Sequence, residues 1–182
     1  DGPRVTVTDY LVQAIAKALL QHPAMNATFV GDPETPGARI DATVGVNVGL
    51  VVAVEDGLRL PVLQQVQGLG LAAIAVRRAA AVERARAGRL LQDDFPGATF
   101  GLSNLGPRGP DRFNAMLNPP QSAILAVGRE HEGIEVRDGV IRARRAMNLT
   151  LTVDHRVVDG RLAGDFLATL ADLVESDDWQ VD

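Results

Sequence analysis

Cysteine is absent from the 182-residue chain. Its absence excludes disulfide scaffolds, Cys-ligated zinc, iron–sulfur clusters and thiolate nucleophiles. Lysine is almost absent as well: Lys17 is the only candidate for a lysine-bound cofactor, and it lies in a helical pattern. The three histidines, His22, His131 and His155, are too scattered in sequence to indicate a metal site, so no metal is expected.

Aromatic residues make up only 4% of the chain, so the core must be built mainly from Ala, Val, Leu and Ile. The net charge of −5 argues against nucleic-acid binding, and the arginines at 77, 78, 84, 86 and 89 are predicted to form a solvated helix face. No apolar run reaches the roughly 18 to 20 residues that cross a membrane, and the N-terminus lacks a signal pattern. These features predict a cytoplasmic protein that binds no membrane.

Hydrophobic periodicity predicts three helices. The first has Thr8 as its N-cap and ends before Pro23, the second covers 71–88 and closes at Gly88, and the third covers 158–174. Strands are predicted at 27–30 and 38–40 around a turn-rich segment, within 44–66 as two strands buried on both faces and joined at 55–57, and at 98–103, 122–129, 133–136 and 140–153. This order predicts one domain in which helices pack on one mixed sheet.

The segment DHRVVDG, from Asp154 to Gly160, places a histidine and a carboxylate where a strand runs into the last helix. His155 suits general base chemistry at neutral pH, and Asp159 could orient a loop or hold an arginine. The same residues also fit a structural role, with Asp159 as a helix cap and His155 as an ordinary polar group. Spacing alone leaves both interpretations open.

A second segment, FGLSNLG, delivers Ser103 from a strand into a Gly-Pro loop. Ser103 could donate a hydrogen bond to a developing oxyanion, or the segment could be a simple Asn/Ser turn. A nucleophilic role is disfavoured because the G-x-S-x-G elbow is missing. A third segment, NPPQSAILAVG, indicates a turn followed by a buried strand.

Taken together, these segments resemble the catalytic core of the dihydrolipoyl acyltransferases of 2-oxo acid dehydrogenase complexes. VTVTDYLVQAIAKALLQHPAMNATF and VGVNVGLVVAVEDGLRLPVL extend the resemblance over nearly the whole chain, and SNLG with NPPQSAILAVG is most similar to the pyruvate-complex acetyltransferases. The resemblance implies an α/β chain folded as an α+β two-layer sandwich like chloramphenicol acetyltransferase, with a mixed sheet and packed helices. It also implies an active site between the subunits of a homotrimer.

The resemblance implies a role for each site residue. His155 would take the proton from the thiol of coenzyme A, Asp159 would hold that loop in shape, and Ser103, 52 positions before His155, would stabilise the oxyanion. The thiolate would attack an acyl group, preferably acetyl, carried by dihydrolipoyl lysine. The lipoyl group would come from a separate domain or chain, since Lys17 lies on a helix. The expected partners are a lipoyl domain and the decarboxylase and dihydrolipoyl dehydrogenase components.

Coenzyme A contacts are predicted at Arg108, Arg112 and Asn118, although Arg108 and Arg112 also fit a solvated loop. Compared with the family, residues 1–182 resemble a catalytic domain that lacks its N-terminal portion, a lipoyl domain and a peripheral-subunit-binding domain. The arginine that anchors the signature aspartate is expected in that missing portion. The acidic C-terminus ESDDWQVD replaces an apolar hook, which predicts trimers and leaves open whether they assemble into a larger core of 24 or 60 subunits.

Two rival functions stay open. A non-catalytic core or assembly protein would keep the fold without the chemistry, and the retained histidine argues against it. An acetyltransferase for a small diffusible acceptor would share the histidine signature, but the longer motifs favour the lipoyl family.

Overall fold

A computed structural model describes residues 2–95 and 97–176. The three helices are α1 (Val7–Gln21), α2 (Leu71–Arg86) and α3 (Gly160–Glu175). Eleven strands are described: β1 (Ala27–Val30), β2 (Arg39–Ala42), β3 (Val48–Leu50), β4 (Val52–Val54), β5 (Gly57–Arg59), β6 (Val62–Leu63), β7 (Phe100–Asn104), β8 (Ala123–Val127), β9 (His131–Arg137), β10 (Val140–Ala146) and β11 (Leu149–Val153). The predicted mixture of helices and strands is therefore confirmed.

A five-stranded mixed sheet forms the centre, in the order β11-β8-β7-β3-β6. The inner strands β3, β7 and β8 are parallel, and β6 and β11 run antiparallel at the two edges. Phe100 of β7 packs against Phe166 of α3, with ring centroids 5.4 Å apart, in a core that is otherwise mainly aliphatic. The scarcity of aromatics thus leaves this one pair at the junction of sheet and helix.

The prediction of a single sheet is wrong, because three two-stranded ribbons, β1-β2, β4-β5 and β9-β10, lie outside the central sheet. Burial on both faces holds for β3 and β6, whereas β5 is exposed along its length. The predicted strand 140–153 divides into β10 and β11. Near Asn148 the chain changes partner from β9 to β8, and the Asn148 side chain donates a hydrogen bond to the Asp111 carbonyl at 3.0 Å.

The first helix begins two residues earlier than predicted, because Thr6 rather than Thr8 is its N-cap. The carboxylate of Asp9 accepts hydrogen bonds from the backbone N–H and the hydroxyl of Thr6, both at 2.8 Å. This reciprocal arrangement closes the first turn. Gly88, at φ +66°, follows α2 in the left-handed conformation as predicted.

The prediction that the arginines of α2 form a solvated face is wrong for Arg78 and Arg84. Arg78 donates to Asp9 at 2.6 Å, and the Asp9 side chain is fully buried. Arg84 donates two hydrogen bonds to the Asp94 carboxylate, from Nε at 2.8 Å and from Nη2 at 2.5 Å. Both arginines supply the positive charge for a buried carboxylate whose other partners are uncharged donors, Thr6 for Asp9 and the Leu91 N–H for Asp94.

Within the described part of the chain, no helix is both long and apolar enough to cross a bilayer. Residues 2–95 and 97–176 also contain no group of three or more His, Cys, Asp or Glu side chains arranged to hold a metal ion. The expectation for the C-terminal segment concerns 175–182, of which 177–182 lie outside the described residues.

Candidate active site

His155 lies in the turn that follows edge strand β11. The N–H of Asp154 extends the strand pairing by donating to the Ser122 carbonyl at 2.7 Å. The N–H groups of Val157 and Val158 then both donate to the Asp154 carbonyl at 2.9 Å, and the Val158 side chain is fully buried. The chain around His155 is thus held by backbone bonds and one buried anchor, while His155 itself is exposed.

Asp159 is the N-cap of α3, which is the structural role that the sequence analysis gave as an alternative to a catalytic one. Its carboxylate accepts a hydrogen bond from the Leu162 N–H at 2.8 Å, which explains why the helix begins at Gly160 rather than at the predicted 158. No ion pair of Asp159 with an arginine is present in the described portion. Asp159 therefore shapes the turn by capping.

The charge beside His155 is balanced within the same turn. Arg156 donates to Asp154 through its Nε at 2.9 Å and its Nη2 at 2.6 Å. These hydrogen bonds hold the pKa of the Asp154 carboxyl below its usual value and raise that of Arg156. The two charged neighbours of His155 in sequence, Asp154 and Arg156, therefore neutralise each other. The turn that carries His155 ends at Asp159, the N-cap of α3.

Ser103 lies near the carboxyl end of β7 and is 6% exposed. It lines a cavity of about 550 Å³ with its neighbours Asn104 and Leu105 and with side chains from α2. Asn104 fixes this end of the strand: its Nδ2 donates to the Thr8 hydroxyl at 3.2 Å, and its Oδ1 accepts from the Gly106 N–H at 2.9 Å. The serine is thus presented at the edge of a cavity rather than in a tight elbow.

The sheet register separates Ser103 from His155 within one chain. Val153 and Phe100 both align with Ala123 of β8, and the chain reaches His155 and Ser103 by continuing in opposite directions from that row. Two strand spacings and about five residue steps then put the two backbone positions roughly 19 Å apart. A proton acceptor and an oxyanion donor at that separation cannot act on the same reacting group.

Arg108 is the one predicted coenzyme A contact that lines the Ser103 cavity. Arg112 and Asn118 are exposed and lie in the segment that leads to the Pro119-Pro120 turn, away from that lining. The sequence analysis missed Arg78 and Arg86, which reach the cavity from α2 together with Val82. Arg78, Val82 and Arg86 follow one another at intervals of four residues, which puts them on one helix face and is the signal that could have found the two arginines.

Comparison with known proteins identifies the family. The family model described as 2-oxoacid dehydrogenases acyltransferase (catalytic domain) matches residues 1–180. The chain belongs to this acyltransferase family. A curated relative, the dihydrolipoyllysine-residue acetyltransferase component of the pyruvate dehydrogenase complex of Rickettsia bellii, is 34% identical over 173 residues, covering 95% of this chain and 40% of the relative. The chain therefore spans about two fifths of the length of the curated relatives it matches.

Solved structures agree with this family membership. A probable dihydrolipoamide acetyltransferase from Listeria monocytogenes superposes with a TM-score of 0.90 at 30% identity, covering 99% of this chain and 76% of that one. The dihydrolipoamide acetyltransferase of Azotobacter vinelandii gives 0.87 at 32% identity, covering 95% and 70%. Chloramphenicol acetyltransferase gives 0.51 at 14% identity over 93% of this chain and 78% of that one, which confirms the predicted fold class of the acyltransferase.

The Azotobacter vinelandii structure bears on the site itself. It was determined to examine the roles of a serine, a histidine and an asparagine in the catalytic mechanism of that enzyme. In that protein the serine and histidine are 52 positions apart, and the histidine and asparagine are four positions apart.

Proposed function

We propose that this chain is the catalytic core of a dihydrolipoyllysine-residue acetyltransferase, which transfers acetyl between dihydrolipoyl lysine and coenzyme A. The proposal rests on one observation: in a chain that belongs to the acyltransferase family, three residues have the same sequence spacing as the catalytic residues of a relative. Ser103, His155 and Asp159 are separated by 52 and four positions, as are the three catalytic residues of the Azotobacter vinelandii enzyme. An aspartate stands here at the position where that spacing has an asparagine.

Each proposed residue acts on one atom of the reaction. The His155 ring takes the proton from the coenzyme A thiol, because alkyl thiols ionise above neutral pH and are mostly protonated at pH 7. The thiolate attacks the acetyl thioester carbonyl, and Ser103 donates a hydrogen bond to the oxyanion that forms. Collapse of this intermediate breaks the bond to the lipoyl sulfur, which receives the proton back from His155. No acyl-enzyme and no metal are needed.

We infer that the working site lies between two subunits. The roughly 19 Å between Ser103 and His155 within one chain is far beyond hydrogen-bond reach, so a second copy must supply one of the two. A cyclic trimer gives every serine a histidine from its neighbour. A monomer would then be inactive.

Coenzyme A carries several negative charges, and the Ser103 cavity offers guanidinium groups to meet them. Arg86 and Arg108 are exposed at its lining, and neither has an ion pair within the described residues. We propose them as phosphate contacts, because guanidinium groups match phosphate geometry. Arg112 and Asn118 stay predictions.

The remaining features of the proposal concern the surroundings of the core. Residues 1–182 would form an acyltransferase catalytic domain that receives the lipoyl group from a separate domain or chain. The decarboxylase and dihydrolipoyl dehydrogenase components of a pyruvate dehydrogenase complex would be its partners. The cytoplasm is the proposed compartment, which cell fractionation would test.

The direct test is acetyl transfer from acetyl-dihydrolipoamide to coenzyme A, followed as thioester formation. His155→Ala should lower kcat by about 10²- to 10⁴-fold, and Ser103→Ala by about 10²- to 10³-fold. His131→Ala is the control, because His131 lies on the β9-β10 ribbon, where its ring contacts the Arg129 carbonyl at 3.4 Å and does not line the Ser103 cavity. Full activity of His155→Ala would refute the proposed mechanism. A stable trimer with no coenzyme A binding would favour the assembly protein, and activity only toward small acceptors would favour the third alternative.

A further inference from the structure

We propose that Arg156 is a positioning residue for His155, acting by clamping the turn onto the β1-β2 ribbon. The clamp consists of Arg156, its carboxylate partner Asp154 and the ring of Phe29. This inference rests on the proposed function for the role of His155. The clamp itself is defined by contacts that exist whatever reaction the site performs.

The first half of the clamp is the contact between Arg156 and Asp154. Besides the three guanidinium hydrogen bonds, the backbone N–H of Arg156 donates to Asp154 Oδ1 at 3.1 Å. One carboxylate thus holds both the main chain and the side chain of the residue that follows His155. The Asp154 side chain is only 17% exposed, so this contact is shielded from water on one side.

The second half of the clamp is the stacking of Arg156 on Phe29. The guanidinium carbon lies 4.3 Å from the ring centroid, within the range of a cation–π interaction. Phe29 belongs to β1, which pairs only with β2 in a separate ribbon. The stacking therefore joins the signature turn to an element that is distant in sequence and outside the central sheet.

Ser122 binds both the strand that leads into the His155 turn and strand β1, which carries Phe29. Its carbonyl accepts the N–H of Asp154, and its hydroxyl donates to the carbonyl of Ala27 at the start of β1. Ser122 is 1% exposed and immediately precedes β8, so it is held by the sheet. This explains what the NPPQSAILAVG segment contributes beyond a turn and a strand.

His155 needs such support because its own ring makes no hydrogen bond within the described part of the chain. The direction of its side chain depends on the backbone of the turn, which is fixed at Asp154, at Arg156 and at the buried Val158. A catalytic group displaced by about 1 Å loses up to 10²-fold in rate. Loosening the Arg156 side of the turn should therefore slow the chemical step without weakening substrate binding.

The test compares Arg156→Lys and Phe29→Leu with Arg39→Lys in the full-length trimeric protein. Arg39 is a matched control, because it lies on the same ribbon and pairs with a carboxylate two residues away at 2.8 Å, and within the described residues that partner is Asp41 rather than Asp154. Both clamp variants should lower kcat about 10-fold and change KM for coenzyme A and dihydrolipoamide less than about 2-fold. The control should stay within about 1.5-fold of the wild type.

A second measurement is independent of activity. Hydrogen exchange of the Val157 and Val158 amides, which close the turn onto Asp154, should be at least about 5-fold faster in both clamp variants and unchanged in Arg39→Lys. Unchanged exchange, or a kcat equal to that of the control, would overturn the clamp. An inactive wild-type protein would overturn the proposed function, and the exchange rates would still decide the clamp.

Discussion

Mixing two inactive variants should restore activity if the site is shared between subunits. Ser103→Ala keeps an intact His155, and His155→Ala keeps an intact Ser103. With roughly 19 Å between these positions in one chain, neither variant can build a site alone. A mixed trimer can, wherever an intact serine faces an intact histidine across an interface.

The expected recovery follows from the symmetry. In a cyclic trimer assembled at random from equal amounts, each interface receives its serine from one chain and its histidine from the next. Each has one chance in two of being intact, so about a quarter of the sites should be active. Acetyl transfer in the mixture should therefore reach roughly 25% of the wild-type rate, against almost none for either variant alone.

The assay requires refolding or coexpressing the two variants and confirming mixed trimers by native mass spectrometry. Ser103→Ala mixed with a chain carrying both substitutions is the control, because no interface in that mixture contains both groups. Confirmed mixed trimers that regain no activity would refute the shared site. Substantial activity of either variant alone would refute the residue roles instead.

Two further predictions concern the arginines of α2. Arg78→Met should lower the free energy of unfolding by about 3–5 kcal/mol, because it leaves the buried Asp9 carboxylate without its counter-charge. Urea unfolding at fixed protein concentration measures the change. An effect no larger than that of Arg89→Met, at an exposed arginine, would contradict the prediction. Arg84→Met should cost about 1–3 kcal/mol at pH 7, and the difference from wild type should shrink as the pH falls from 7 to 3. The sign follows from Arg84 lowering the pKa of Asp94: the stabilisation is present above the ordinary carboxyl pKa and is lost on acidification through the lowered one. An equal difference at both pH values would show that this linkage is wrong.

Local patterns predicted the helices well because the signals lie within a few residues. The end of α2 followed from Gly88, and the predicted break between 133–136 and 140–153 is a tight turn with Asp138 and Gly139 at positive φ. Thr8 was wrong as a cap because the choice between Thr6 and Thr8 depends on which residue the Asp9 side chain reaches. Thr6 is followed three residues later by Asp9, which fits the capping-box spacing, whereas Thr8 is followed three residues later by Leu11, so the sequence itself favoured Thr6.

Other features could be decided only by tertiary contacts. The arginines of α2 look alike in sequence, and only the packed structure separates Arg78 and Arg84, which bind buried carboxylates, from Arg86, which is exposed at the Ser103 cavity without an ion pair among the described residues. The division of 140–153 into two strands likewise depends on which strand each half meets.

The sequence by itself determined that no cysteine of this chain takes part and fixed the spacing of Ser103, His155 and Asp159, because residue identity and order need no fold. It could not determine their distance in space. That follows from the register of β7, β8 and β11, which sends the serine and the histidine toward opposite ends of the sheet. Hydrogen-bonded pairing between distant segments fixes this register, and it is the reason that the proposed reaction requires a second subunit.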